Sequence, residues 1–166
     1  MSTTPDTDAN TSRPSPGHPC PVSKFWELPG DTALCPDLRR RVRTSLAGFT
    51  HLADDAELVA CELFANACRH TRSGQEGTVS VSLSALRTGL VLITVTDQGP
   101  RTDPHTGLPH IPHTRRPSTD PLTPGGRGLL LVASLATHWG HWTTEAGGTT
   151  VWAVFAPPTT TPTQLP

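Results

Sequence analysis

The sequence predicts an α+β fold, a two-layer α/β sandwich in which a mainly antiparallel sheet carries helices on one face. Three observations predict it. Strand-like segments follow one another across tight turns, the first half holds two helical segments with one apolar face each, and proline is concentrated outside this framework. With 166 residues the chain has room for one domain with a real core but not for two comfortable ones.

The elements follow in order. Phe25 to Leu28 reads as a short strand ended by Pro29-Gly30. Pro36 suits the first turn of a helix whose apolar residues, Leu38, Val42, Leu46 and Phe49, recur at spacings of four, four and three. Arg39, Arg40, Arg41 and Arg43 cover its other faces and read as a solvated surface. A second helix is expected from about Ala53 to His70, with a core face of Ala56, Val59 or Ala60, Leu63 and Ala67. Asp54 and Asp55 lie toward its positive end, and Arg69 and His70 toward its negative end. Val79, Val81 and Leu83 alternate with Ser80, Ser82 and Ser84, the period of a half-buried strand. Arg87-Thr88-Gly89 then turns the chain into an almost continuously apolar strand, Leu90 to Thr96. Gly126 to Thr137 reads as a short helix, and His138 to Thr143 and Thr150 to Phe155 as the last two strands.

Proline marks what lies outside. Five of the 18 prolines fall in residues 1–21, seven in 98–125 and four in 157–166. The expected organisation is a Pro-rich disordered tail over 1–21, one domain over 22–156 and a second disordered tail over 157–166. Within the domain, 98–125 is a long Pro/His/Thr-rich loop, and a loop of that length in a compact domain reads as a lid.

Composition excludes several classes. A net charge of −1 with 16% charged residues carries no basic footprint for nucleic acid. The apolar stretches around Leu90–Ile93 and Leu129–Ala133 are far too short to span a bilayer, and no leader pattern opens the chain, so a soluble cytoplasmic protein is expected. Cys20, Cys35, Cys61 and Cys68 form no C-x-x-C pair and read as packing residues or bystanders. Lys24 is the one lysine and follows no glycine-rich run, which excludes a P-loop.

Glu62 and Asn66 stand four apart, so they stack on one face of the second helix amid Leu58, Val59, Leu63 and Phe64. On spacing alone the ordinary explanation is a helix edge where both reach water. The sharper one is a site whose oxygens face a divalent cation and a reacting hydroxyl or water. Asp97 ends a strand in Thr96-Asp97-Gln98-Gly99-Pro100. Gly125-Gly126-Arg127-Gly128 precedes a helix whose free N–H groups can receive a phosphate.

Taken in order, Glu62-Leu-Phe-Ala-Asn66-Ala-Cys-Arg-His70, Asp97-Gln-Gly99, Gly126-Arg-Gly128-Leu and Thr149-Thr150-Val-Trp152 resemble the Bergerat-fold (GHKL) ATPases. Within them the chain looks like the small anti-sigma-factor serine kinases and their actinobacterial relatives, over about residues 25–156. The resemblance implies ATP and Mg²⁺ as ligands. It implies that Asn66 holds Mg²⁺ against the phosphates and that Glu62 is the catalytic base or orients the attacking group. Asp97 accepts the adenine amino group, Gly99 lets the chain pass the base, Gly126 and Gly128 offer lid amides to the phosphates, and Thr150 stands near the adenine. His70 matches a helix-end histidine to which no function is assigned. The implied activity is protein-serine/threonine kinase action on an anti-anti-sigma partner, with a sigma factor as a further partner. Homodimers are frequent in that family, but no helix face here decides the matter.

One departure bears on catalysis. Two positions before the first glycine, where the best-known kinases carry a lid arginine, stands Pro124. Arg115, Arg116 and Arg127 are the candidates to replace it. If none does, the protein is a non-catalytic, ATP-responsive switch for a partner. A metal site at His105, His110 and His113 lacks standard zinc spacing, and no nucleophile-elbow motif supports a hydrolase.

Overall fold

The computed structural model describes residues 22–101 and 127–157. Five strands form one sheet: β1 (Val22–Pro29), β2 (Thr78–Ala85), β3 (Val91–Thr96), β4 (His138–Thr143) and β5 (Thr149–Phe155). Their spatial order is β1-β2-β3-β5-β4, with every neighbouring pair antiparallel. The helices are α1 (Cys35–Ser45), α2 (Thr50–His70) and α3 (Arg127–Leu135). This is the α+β sandwich expected from the sequence.

Period-two patterning orients the sheet. Along β2 the residues Val79, Val81, Leu83 and Ala85 are all fully buried, while the serines and Thr78 between them are half-buried. The register places Val81 opposite Val95 and Leu83 opposite Ile93, so one face of the central strands is apolar throughout. That face meets the helices, and Phe64 of α2 and Phe155 of β5 are among its largest fully buried side chains. Burying each such side chain contributes about 1.5–3 kcal/mol. The opposite face is lined by hydroxyls that satisfy one another across strands. Ser82 and Thr94 lie 2.7 Å apart at their oxygens, and Thr96 and Thr150 lie 2.8 Å apart.

Most expected elements are present within one to three residues. β1 is longer than expected, because pairing with β2 runs from Val22 to Pro29. Pro29 is tolerated at the end of an edge strand, where no ladder hydrogen bond is demanded of it. The four apolar residues chosen for the α1 face are all buried, Phe49 just beyond the helix end. Helix α2 starts at Thr50, so Asp54 and Asp55 stand in its second turn, past the strongest effect of the dipole. Asp54 instead accepts a hydrogen bond from Arg43 at 3.0 Å. Trp139 packs against the core, whereas Trp142 is half exposed on the other face.

Among the described residues the cysteines Cys35, Cys61 and Cys68 are free. Burial pushes the Cys35 thiol up to about 12, helped by its contact with Cys61, and Cys68 up to about 11. Such thiols are inert packing groups. Among the described residues no helix is long and apolar enough to cross a membrane.

Candidate functional site

The site is built where α2, the C-terminal end of β3 and the start of α3 meet. Glu62 and Asn66, one turn apart, are half-buried on α2 while their neighbours Leu63, Phe64, Ala65 and Ala67 are buried. They therefore line the edge of the core rather than open surface. Against them lies Gly128, in the first turn of α3. A Cβ placed on Gly128 would stand 2.8 Å from Glu62 Oε2 and 3.1 Å from Asn66 Nδ2. With no side chain at Gly128 the start of α3 reaches both groups without displacing them, whereas a Cβ there would press first on Glu62 Oε2, the end of a flexible side chain.

The second half of the site is a turn. Asp97 follows β3 and is buried, with 7% of its surface exposed. Its Oδ1 accepts hydrogen bonds from the Gly99 N–H at 2.7 Å and the Thr149 N–H at 3.2 Å. Burial pushes its pKa above the ordinary 3.8, against the pull of the Gly99 and Thr149 amides and of the Arg72 charge. Gly99 has a φ of +95°, and a Cβ there would collide with the Gly147 carbonyl. The turn is thus held against the β4–β5 connection.

Hydrogen bonds tie the two halves together. The chain after Asp97 runs beside the end of α2. Gln98 N donates to Ser73 Oγ at 2.9 Å, Arg72 N donates to the Gly99 carbonyl at 3.0 Å, and Thr71 and Pro100 form a bridge. Asn66 lies five residues before Thr71, about 7.5 Å along the helix axis.

Of the sequence-chosen residues, Glu62, Asn66 and Gly128 converge, and Asp97 and Gly99 share the turn. Gly126 lies outside the described residues, as do Arg115, Arg116, Pro124 and the three histidines 105, 110 and 113. Arg127 begins α3. His70 ends α2, and its carbonyl accepts a hydrogen bond from Arg101 N at 3.4 Å. Thr150 is not brought to Asp97. Register pairs it with Thr96, to which its hydroxyl bonds on the sheet face away from the helices. By the same alternation Thr149 falls on the helix side with Val151, Ala153 and Phe155, and its amide is the one bonded to Asp97. Counting from Asp97 across the ladder would have found Thr149, had the register been known. Ser73 and Arg101 carried no local signal at all.

A separate cleft of about 500 Å³ lies between residues 29–32 and 74–77 beside Cys68 and Arg69. Among the described residues none of Glu62, Asn66, Asp97, Gly99, Gly128 and Thr150 lines it. Volume alone is a weaker guide than convergent polar groups, which are found at Gly128 and Asp97. Among the described residues no group of three or more His, Cys, Asp and Glu is placed to hold a metal ion.

The family model for the histidine kinase-like ATPase domain matches residues 29–155. A comparison with curated proteins finds no match. Among solved structures, the RsbU and RsbW domains of a Mycobacterium tuberculosis protein align with a TM-score of 0.56 and 17% identity, over 81% of this chain and 32% of that one. The SiaB–SiaC complex of Pseudomonas aeruginosa aligns with a TM-score of 0.57 and 14% identity, over 80% of this chain and 88% of that one. At these identities the likeness is one of fold.

Proposed function

Since the chain belongs to the histidine kinase-like ATPase domain family, we propose that it binds ATP with Mg²⁺ and transfers a phosphoryl group to a serine of an anti-anti-sigma-type partner. A sigma factor is the second partner of this reading, and the cytoplasm its compartment. The functional domain is 22–156, with 98–125 as its lid. The single observation that carries the reading is the closure of Gly128 on Glu62 and Asn66 beside a buried Asp97 turn.

Each residue has a part that its surroundings support. Asp97 has one carboxylate oxygen committed to two backbone amides, leaving the other as acceptor for the adenine amino group. Gly99 keeps that edge of the pocket thin. Gly128 presents an amide to the phosphates, and Gly126, outside the described residues, has the same part by resemblance alone. Asn66 would supply an amide oxygen to Mg²⁺, which takes few ligands from protein and the rest from phosphate and water, so one such donor fits the ion. Mg²⁺, when bound, neutralises phosphate charge. Glu62 orients or deprotonates the serine hydroxyl that attacks, and positioning is most of what phosphoryl transfer asks of a protein. Thr150 is the candidate near the base by resemblance, and Thr149, which shares a sheet face with Asp97, is a second.

Calorimetric titration with ATP and Mg²⁺ tests the site, with Asn66→Ala and Asp97→Ala alongside. Saturable binding weakened in both variants is expected, and no binding at millimolar ATP would overturn the reading. Loss of transfer to a cognate partner in Glu62→Ala tests the kinase step. A second reading rests on Pro124, which stands where a phosphate-contacting arginine is expected. In it, ATP orders the lid and alters partner binding without transfer. Tight ATP binding with no phosphate transfer, and slower hydrogen exchange over 98–125, would favour it.

A further inference from the structure

We infer that Arg101 is a positioning residue, holding the Asp97–Gly99 turn in register with the helix that carries Glu62 and Asn66; this rests on the nucleotide-binding reading above. The last carbonyls of any helix lack intrahelical partners. On α2 they are met from 30 residues further along the chain. Arg101 Nε donates to the Thr71 carbonyl at 2.8 Å, and its Nη2 donates to the Cys68 carbonyl at 3.3 Å. Its backbone N–H donates to the His70 carbonyl at 3.4 Å. The side chain is half-buried, so these bonds are partly shielded from water.

Capping alone does not account for this arrangement. Arg69 and His70 already place basic side chains in the last turn of α2. What Arg101 adds is a connection. Cys68 is two residues past Asn66, and Arg101 is two residues past Gly99. Between these points Gln98 N is bound by Ser73 Oγ, and the Gly99 carbonyl by Arg72 N. Arg101 is the one link in this set that reaches back into the helix proper. Without its side chain the bonds to the Thr71 and Cys68 carbonyls are lost while the backbone bond to His70 and the bonds to 71–73 remain, so the turn gains freedom to shift against the last turn of α2. A nucleotide spanning both halves feels that freedom, whereas a ligand touching only the base end does not.

The test compares Mg·ATP with adenosine, measured by calorimetry on the full chain. Arg101→Ala is expected to bind adenosine as the unaltered protein does and Mg·ATP about tenfold more weakly, within the range by which one site biases another. Arg101→Lys is expected to recover most of the loss, since an ammonium can donate to the same carbonyls. If Arg101→Ala does not fold, Arg101→Gln is read in the same way. Equal loss for both ligands, matched by a fall in Tm, would reduce Arg101 to a stability residue and overturn the inference, as would no loss for either. Unaltered protein that binds neither ligand would reject the nucleotide site itself, and the inference with it.

Discussion

The two ends of the site are built by different means. The Asp97 end rests on backbone: its carboxylate is gripped by the Gly99 and Thr149 amides, and its own N–H donates to the Thr149 carbonyl at 2.9 Å. Strand register decides its geometry. The Glu62 end rests on side chains of one helix meeting the start of another, with no Cβ at Gly128 to press on them. Helix packing decides its geometry. The first end should therefore tolerate little change of register, and the second little change of volume.

The largest effect expected is at the packed end. Gly128→Val places methyl groups where Glu62 Oε2 and Asn66 now lie, and filling occupied space costs about 1–3 kcal/mol. The added methyls displace the Glu62 and Asn66 side chains, so Mg·ATP affinity should fall about tenfold while adenosine affinity stays unchanged, both read by calorimetry. An equal loss for adenosine would show that the two ends are not separable.

A smaller effect separates the neighbouring threonines. Thr149→Val should weaken adenosine binding severalfold, because this side chain shares a sheet face with Asp97. Thr150→Val should leave binding alone and cost about 1 kcal/mol of stability through the lost bond to Thr96, as urea unfolding would show. The reverse pattern would return the base-side role to Thr150.

The smallest effect is on pH. Folding raises the Asp97 pKa above 3.8, so the folded chain holds this proton more tightly than the unfolded one. The stability linked to that proton is fully present below 3.8 and is lost as pH rises through the raised value. Urea midpoints measured upward from pH 3.8 should fall less steeply in Asp97→Asn, which has no proton to release. Identical slopes would mean that the amide bonds fully offset burial.

Much of this architecture is written in local spacing. The four-residue step from Glu62 to Asn66, the alternation of β2 and the placement of Asp97 at a strand end are all short-range patterns, set by the pitch of a helix and the pleat of a strand. They sufficed to anticipate the sheet and the helices, and that Glu62 and Asn66 share one face of α2. The boundary of α2 was less legible, because Thr50 to Leu52 precede the strongest part of the apolar pattern and Phe49 provides no side-chain cap.

By itself, then, the sequence determined which segments are helix or strand, which faces they bury and which residues offer carboxylate, amide and bare backbone. Tertiary structure alone decided that Thr149 rather than Thr150 shares a sheet face with Asp97, because register depends on pairing across 52 residues. It alone decided that Gly128 closes on Glu62 and Asn66, and that Arg101 caps a helix 30 residues before it. Local sterics act over a few bonds and leave their mark in spacing. Contacts between distant segments depend on how whole elements pack, and no interval in the chain records them.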